Sequence, residues 1–386
     1  MILPDYEGGS LVNLMATIEA ALSSRPPLYV PARALPPAEL AGAANVVLLV
    51  VDGMGDVLLN DVAPHGALAG RRRARLTSVF PSTTATAIST FLTGLAPRAH
   101  AVPGWFTYFR EIGCVTAVLP FRVRAGGADL AAAGVEVSDL LGSRPFFAAL
   151  DAEVHTVSPA RIADSAFNSA HCSGTVRHAY TGLHSLFEVL EGILRPTARQ
   201  RYVYAYFPDV DALAHAHGVG SAEVAACIRA LDERFAAFLE SAAGTDTAVV
   251  VTADHGLIDS TASRRVHIDD LPQLTDSLIL PLCGEPRVAY CYVRAGAGAR
   301  FENAVTESLG ERARLHRSVD LVEGGLFGVG PTHPRLLERV GDYVLIMNDD
   351  WVVRDTLPGE SGFDPVGVHG GLSEAEMRVP LILARC

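Results

Sequence analysis

Three apolar runs dominate the hydropathy pattern, and each stops abruptly at an acid. Residues 46–51, Val-Val-Leu-Leu-Val-Val, show no polar alternation, which predicts a strand buried on both faces of a sheet. The run ends at Asp52-Gly53-Met54-Gly55, so Asp52 falls at the carboxyl end of a central strand, where open α/β sheets place ligands. Residues 202–207 make a second, aromatic-rich β-type run that terminates near Asp209 and Asp211. Residues 248–252 make a third, ending at Asp254-His255-Gly256. Elsewhere the period becomes helical. Leu11, Leu14, Met15, Ile18 and Leu22 form one apolar stripe behind Ser10 and ahead of Pro26-Pro27, and Val224, Cys227, Ile228, Leu231, Phe235 and Leu239 form another after Ser221.

Over 76–94 the pattern predicts a short strand ending at Pro81, then a helix of small and apolar residues closed by Gly94. Thr83 and Thr84 thereby fall at a strand-to-helix turn, where backbone N–H groups and the helix dipole favour an anion. Residues 287–294 alternate as a strand, 301–309 fit a helix and 342–347 fit another strand. Hence 284–350 reads as a small inserted α/β unit on a core made of 1–283 with 351–386, whose closing strand covers the apolar run 379–384. The less regular stretch 123–200 reads as a cap or lid over the sheet, and the Pro- and Ala-rich arm 25–42 as a surface wrap.

Composition narrows the chemistry. At 386 residues the chain is long enough for one large α/β domain with an elaboration, or for two domains. A formal charge of -12 argues against a nucleic-acid partner. All 31 basic residues are Arg, which excludes a P-loop lysine, a pyridoxal-phosphate Schiff base and a lysine general base. The basic run Arg71-Arg72-Arg73-Ala74-Arg75 reads as a solvated face. Six scattered cysteines without a C-x-x-C pair suit reduced thiols. With no signal-peptide pattern and no apolar run of membrane-spanning length, the expectation is a soluble cytoplasmic protein with no membrane partner.

The strand ends carry the candidate site. Asp211 and His215, four apart, face the same way if their segment is helical, with Asp209 and His217 as rivals. Asp254 and His255 are adjacent at a strand end, and His369 sits in a glycine-bracketed turn, His369-Gly370-Gly371. Asp52, Asp211, His215, Asp254, His255 and His369 are N and O donors with no Cys among them, a set that suits two Zn²⁺, or Mn²⁺ or Fe ions. Two such ions about 4 Å apart suit in-line hydrolysis of a phosphate ester or anhydride. Trp105 and its aromatic neighbours could floor an apolar leaving group or simply be core. Glu285-Pro286-Arg287 and His333-Pro334-Arg335 read as surface turns, and His155, His171, His178 and His184 lack ligand spacing.

The order Asp52, Thr84, Asp211-x-x-x-His215, Asp254-His255-Gly256 and His369-Gly370-Gly371 resembles the alkaline phosphatase superfamily, most closely its nucleotide pyrophosphatase/phosphodiesterase branch. The resemblance implies a three-layer α/β sandwich with a central, mostly parallel sheet. It implies one zinc held by Asp211, His215 and His369 and a second by Asp52, Asp254 and His255. Thr84, nine residues before Thr93-Gly94, would be the nucleophile beside the second zinc, passing through a phosphothreonine on a small phosphate ester or nucleotide. Two departures stand out. Ala87 occupies a position where these enzymes usually carry a phosphate-binding Asn, and Phe80-Pro81 precedes the threonine instead of following it. Sulfatases, which need Cys or Ser at the nucleophile, and phosphoglycerate mutases, which use a Lys, are excluded. A phosphomonoesterase or phosphonate hydrolase is the nearest alternative. A non-catalytic metal-stabilised binding module, or ion-paired turns with only a structural role, are the alternatives from other classes.

Overall fold

The computed structural model describes residues 1–142, 146–194, 199–360 and 364–386. Its centre is a seven-stranded sheet with the order Arg72–Thr77, Arg378–Arg385, Thr247–Thr252, Asn45–Val51, Arg201–Phe207, Glu153–Pro159, Val176–Tyr180. Every pairing from Thr247–Thr252 to Val176–Tyr180 is parallel, and Arg378–Arg385 runs antiparallel to both its neighbours. Asn45–Val51 is buried along its whole length, as its unbroken apolar sequence requires when helices cover both faces. The helices Leu11–Leu22 and Thr84–Thr93 pack on each other, as do Gly182–Ile193 and Ala222–Ser241. The chain is thus a mixed α/β protein with a large, mostly parallel sheet.

Strand register aligns the segments that carry the candidate ligands. Val51 pairs with Phe207, and Val50 pairs with Thr252, so three strands end level. Asp52, the helix Asp209–His217 and Asp254 therefore emerge side by side. The Asp52 N–H donates to the Phe207 carbonyl at 2.8 Å, and the Asp211 N–H to the Asp52 carbonyl at 3.2 Å.

A second seven-stranded sheet, antiparallel throughout, has the order Ala313–Arg317, Tyr343–Met347, Val288–Cys291, Cys283–Glu285, Phe106–Phe109, Cys114–Ala117, Arg122–Val123. Here the structure departs from two expectations. Residues 106–123 belong to the small sheet, and the boundary drawn at 283/284 cuts its strand Cys283–Glu285, so the inserted unit is not confined to 284–350. Part of the stretch 123–200, read as holding a cap or lid, belongs to the core instead: Glu153–Pro159 and Val176–Tyr180 complete one edge of the large sheet, and Gly182–Ile193 packs beside it. These strands carry His, Thr and Ser, which hid their sheet character. The basic run 71–75 lies largely in the edge strand Arg72–Thr77, where Arg72 and Arg75 pair with the fully buried Asp56 carboxylate at 2.9 and 2.6 Å. No helix among the described residues is long and apolar enough to cross a membrane.

Candidate metal centre

Side chains from far-apart segments converge at the carboxyl ends of the large sheet. His255 is the hub. Its Nε2 lies 3.1 Å from Thr84 Oγ1, 3.4 Å from Asp52 Oδ1 and 3.3 Å from Asp254 Oδ2. Its Nδ1 is 3.0 Å from the Gly256 carbonyl, an acceptor only, so Nδ1 carries the hydrogen and Nε2 presents a lone pair. That lone pair then faces two carboxylate oxygens, and the Thr84 hydroxyl supplies the one proton available. Asp52 Oδ1 and Asp254 Oδ2 are buried with no hydrogen-bond partner among the described residues. Such a donor set is costly to bury as it stands and is satisfied by a cation. Asp52, Asp254 and His255 thus form one group able to hold a metal ion.

The second group shares the same floor. His215 Nε2 lies 3.2 Å from Asp211 Oδ2, and His369 Nε2 lies 3.8 Å from Asp211 Oδ1. The His369 ring stacks on His255 with centroids 3.9 Å apart and lies 5.2 Å from the His215 ring. His215 Nδ1 is 2.7 Å from the Gly367 carbonyl, which turns Nε2 towards Asp211, and Asp211 Oδ1 is another buried oxygen without a hydrogen bond. Asp211, His255 and His369 are grouped closely enough to share an ion. Asp209 and His217 fall in neither group, and nor does His215, which contacts the second group through Asp211.

Electrostatics mark the same deficit of positive charge. Burial, then the Asp254 carboxylate, pushes Asp52 well above the usual carboxylate range, and burial also raises Asp254. Burial opposes ionisation of Asp211 too, yet the neighbouring His215 holds it below its ordinary value. Burial alone would lower His215, but the Asp211 carboxylate raises it to about 9. Burial and the adjacent His255 push His369 well below its ordinary value.

Thr84 opens the helix Thr84–Thr93, closed by Gly94 in the left-handed region at φ 67°. Thr83 is the N-cap residue, but its hydroxyl does not cap. It donates instead to Glu285 Oε1 at 2.5 Å, leaving the first helical N–H groups without a side-chain partner among the described residues. Ala87 is fully buried in the core.

Thr84, Asp211, His215 and His369 line a cavity of about 940 Å³ whose walls include Trp105, Phe106, Arg124, Glu285, Arg354 and Glu360. Sequence reasoning missed two participants. Tyr206 donates its hydroxyl to Asp52 Oδ2; it was hidden as one of several alternating aromatics in a strand. Glu285, read as part of a surface turn, accepts the Trp105 N–H at 2.7 Å, and burial raises its carboxyl to about 7. Arg287 of the same turn is buried in a bidentate pair with Glu376, both contacts 3.0 Å.

Solved structures share this architecture. Murine ectonucleotide pyrophosphatase / phosphodiesterase 5 matches with a TM-score of 0.62 at 14% identity, over 88% of this chain and 87% of that one. An inactive threonine-to-alanine variant of the murine protein, in complex with AMP, matches at 0.61, with the same identity and coverage. Phosphonoacetate hydrolase from Sinorhizobium meliloti, in complex with phosphonoformate, matches at 0.56 and 19% identity, over 87% of this chain and 89% of that one. At these identities the likeness is one of fold. No curated protein matches the chain. The family model for type I phosphodiesterase / nucleotide pyrophosphatase matches residues 46–372, and the chain accordingly belongs to that family and is a phosphoric ester hydrolase.

Proposed function

We propose that the chain hydrolyses a small-molecule phosphodiester or phosphoanhydride by in-line attack of the Thr84 hydroxyl. The observation that carries this reading is the position of Thr84 Oγ1, 3.1 Å from His255 Nε2, at an uncapped helix N-terminus opening on the cavity. Asp52, Asp254 and His255 would hold one divalent ion, most simply zinc, and Asp211, His215 and His369 a second. Bound there, the two ions would lower the pKa of the Thr84 hydroxyl and of the attacking water, and neutralise the departing oxygen.

The protein's own groups do the rest. The Gly256 and Gly367 carbonyls fix the tautomers of His255 and His215 and so aim both Nε2 atoms into the site. The Tyr206 hydroxyl occupies one oxygen of Asp52 and leaves the other for the site. The free N–H groups of the helix Thr84–Thr93 take phosphoryl oxygens, a role that Ala87 cannot fill. Thr84 gives up its hydroxyl proton to solvent as Oγ1 forms a bond to phosphorus and the bond to the leaving oxygen breaks, and the departing oxygen takes up a proton from water. Water then attacks the phosphothreonine, frees Thr84 and releases the phosphate product. The inactive threonine-to-alanine relative supports the threonine role.

Monoester or phosphonate hydrolysis, the nearest rival, calls for spare cationic side chains around the extra negative charge. Arg124 in the cavity wall donates to Glu360, Asp355 and the Leu282 carbonyl at 2.6–3.1 Å, so its charge is already matched. Initial rates on a bis(aryl) phosphodiester and on the matching monoester test the reading. A diester preference abolished by Thr84→Ala is expected, and a large monoester preference would overturn it. Six free cysteines support a reducing compartment such as the cytoplasm.

A further inference from the structure

One cavity group takes no part in the phosphoryl chemistry. Glu285 ends the strand Cys283–Glu285, and its backbone is pinned where Gly104 and Gly284 meet. A Cβ on Gly104 would lie 2.8 Å from Gly284 Cα, and one on Gly284, at φ +84°, would lie 2.4 Å from the Val288 carbonyl. Gly370, beside His369, leaves room for Glu285 too, since a Cβ there would come within 3.0 Å of the Glu285 side chain. Oε1 takes both the Thr83 hydroxyl and the Trp105 N–H. Oε2 makes no hydrogen bond, and no cationic side chain pairs with Glu285, among the described residues. A carboxylate oxygen is therefore left to the cavity that also holds Thr84.

The arginines of the remaining walls do not balance it. Arg124 is only 5% exposed and is held by two carboxylates, and Arg354 pairs with Asp364 at 2.7 Å. Asp355 and Glu360, the two carboxylates that hold Arg124, leave that cluster with one negative charge in excess. An organic group that carried a second anion would find no free cation here, whereas one with a hydroxyl or ammonium would find an open carboxyl acceptor.

Resting on the phosphodiesterase reading, we infer that Glu285 determines specificity: it accepts a hydrogen bond from a hydroxyl or ammonium on the group esterified to the scissile phosphate, and it disfavours an anion there. The test compares kcat/KM of the metal-loaded enzyme on four p-nitrophenyl phosphodiesters whose second group is ethyl, 2-hydroxyethyl, 2-aminoethyl or carboxymethyl. Wild type is expected to favour the hydroxyethyl or aminoethyl ester over ethyl by about tenfold or more, the scale of a hydrogen bond to a charged group, and to place carboxymethyl below ethyl. A lead for aminoethyl identifies an ammonium and a lead for hydroxyethyl a polyol; both support the inference.

Glu285→Gln keeps an acceptor for Thr83 and Trp105 but can turn an amide N–H to the cavity. It is expected to bring the donor-to-ethyl ratio to within about threefold of unity and to raise carboxymethyl relative to ethyl. Should that variant not fold, Glu285→Asp, which withdraws the carboxylate by one methylene, is expected to lower the same ratio. Equal rates of wild type on the ethyl and donor esters, or an equal loss on all four esters in Glu285→Gln, would overturn the role of Glu285 while leaving the phosphodiesterase reading intact. Failure of wild type on every diester would instead overturn that reading and this inference with it.

Discussion

The buried pair between Arg287 and Glu376 ties the small sheet to the turn that carries His369, and it makes a quantitative prediction. The two side chains are 2% and 0% exposed. Glu376 Oε1 also accepts the Gly371 N–H at 2.7 Å, and Arg287 Nη1 donates to the Trp351 carbonyl at 2.6 Å. Burial opposes ionisation of Glu376, but the Arg287 guanidinium holds its carboxyl below the ordinary value of 4.5. Arg287→Met removes the cation and leaves a carboxylate in an apolar interior, a change that costs about 3–5 kcal/mol. Adding Glu376→Gln removes the stranded charge yet keeps an acceptor for Gly371. The double variant is therefore expected to fall short of wild type by only about 1–2 kcal/mol, mainly for the unpaired Trp351 carbonyl. Urea denaturation in the presence of chelator isolates this from any metal-binding contribution. With a slope of roughly 3 kcal/mol/M, the midpoint falls by about 1–1.7 M in the single variant and recovers by more than half in the double. The pH dependence gives a second reading. A carboxylate with a lowered folded pKa stabilises above its unfolded value and loses that contribution as pH falls through the folded one, so wild type loses this increment below about pH 4.5 and Arg287→Met does not. A single variant within about 1 kcal/mol of wild type, or a double variant no better than the single, would refute the reasoning.

Thr84→Ala is expected to abolish turnover at unchanged metal content, and Thr84→Ser to retain part of it; a Thr84→Ala enzyme with wild-type rates removes the nucleophile from the proposal. Asp254→Asn should lower the metal-to-protein ratio from two towards one while the far-ultraviolet circular dichroism stays native, and full occupancy in that variant would argue against Asp254 as a ligand. Tyr206→Phe strips Asp52 of its one hydroxyl donor, for which a 10–100-fold loss of metal affinity in a chelator competition is expected; unchanged affinity would show that Asp52 needs no such support. Gly370→Ala forces a left-handed backbone at φ +115° onto a side chain already 3.0 Å from Glu285, and should cut kcat/KM with little change in the denaturation midpoint of the large sheet.

The features legible in the chain alone are those set by local forces. The strands Asn45–Val51 and Thr247–Thr252 are buried on both faces, so each is built on an apolar run, and the first acid after each run marks a strand end facing the site. That is why Asp52 and Asp254 stand out, and why the helical spacing of Asp211 and His215 could be paired with them. The last two strands on one side of the same sheet lack that signature. Glu153–Pro159 and Val176–Tyr180 carry polar residues, such as His155 and His178, whose ring nitrogens lie 3.0 Å apart. Their membership in the sheet comes from parallel pairing, Glu153–Pro159 with Arg201–Phe207 and Val176–Tyr180 with Glu153–Pro159, which local hydropathy does not record.

Glu285 was illegible for a different reason. Nothing in Gly284-Glu285-Pro286 distinguishes a surface turn from a cavity wall, because its placement depends on the docking of Gly284 against Gly104, 180 residues earlier in the chain. The two halves of the proposed site thus obey different rules. The metal half is set by the register of parallel strands, where a one-residue slip would turn every side chain to the wrong face. The wall that faces the organic group comes from a separate antiparallel sheet, held to the first by Arg287 and Glu376 and by the contact of Thr83 with Glu285. A substitution in that wall can change which ester is read without moving a metal ligand, whereas one that loosens the Arg287–Glu376 tie reaches His369 through Gly371 and should impair every ester alike.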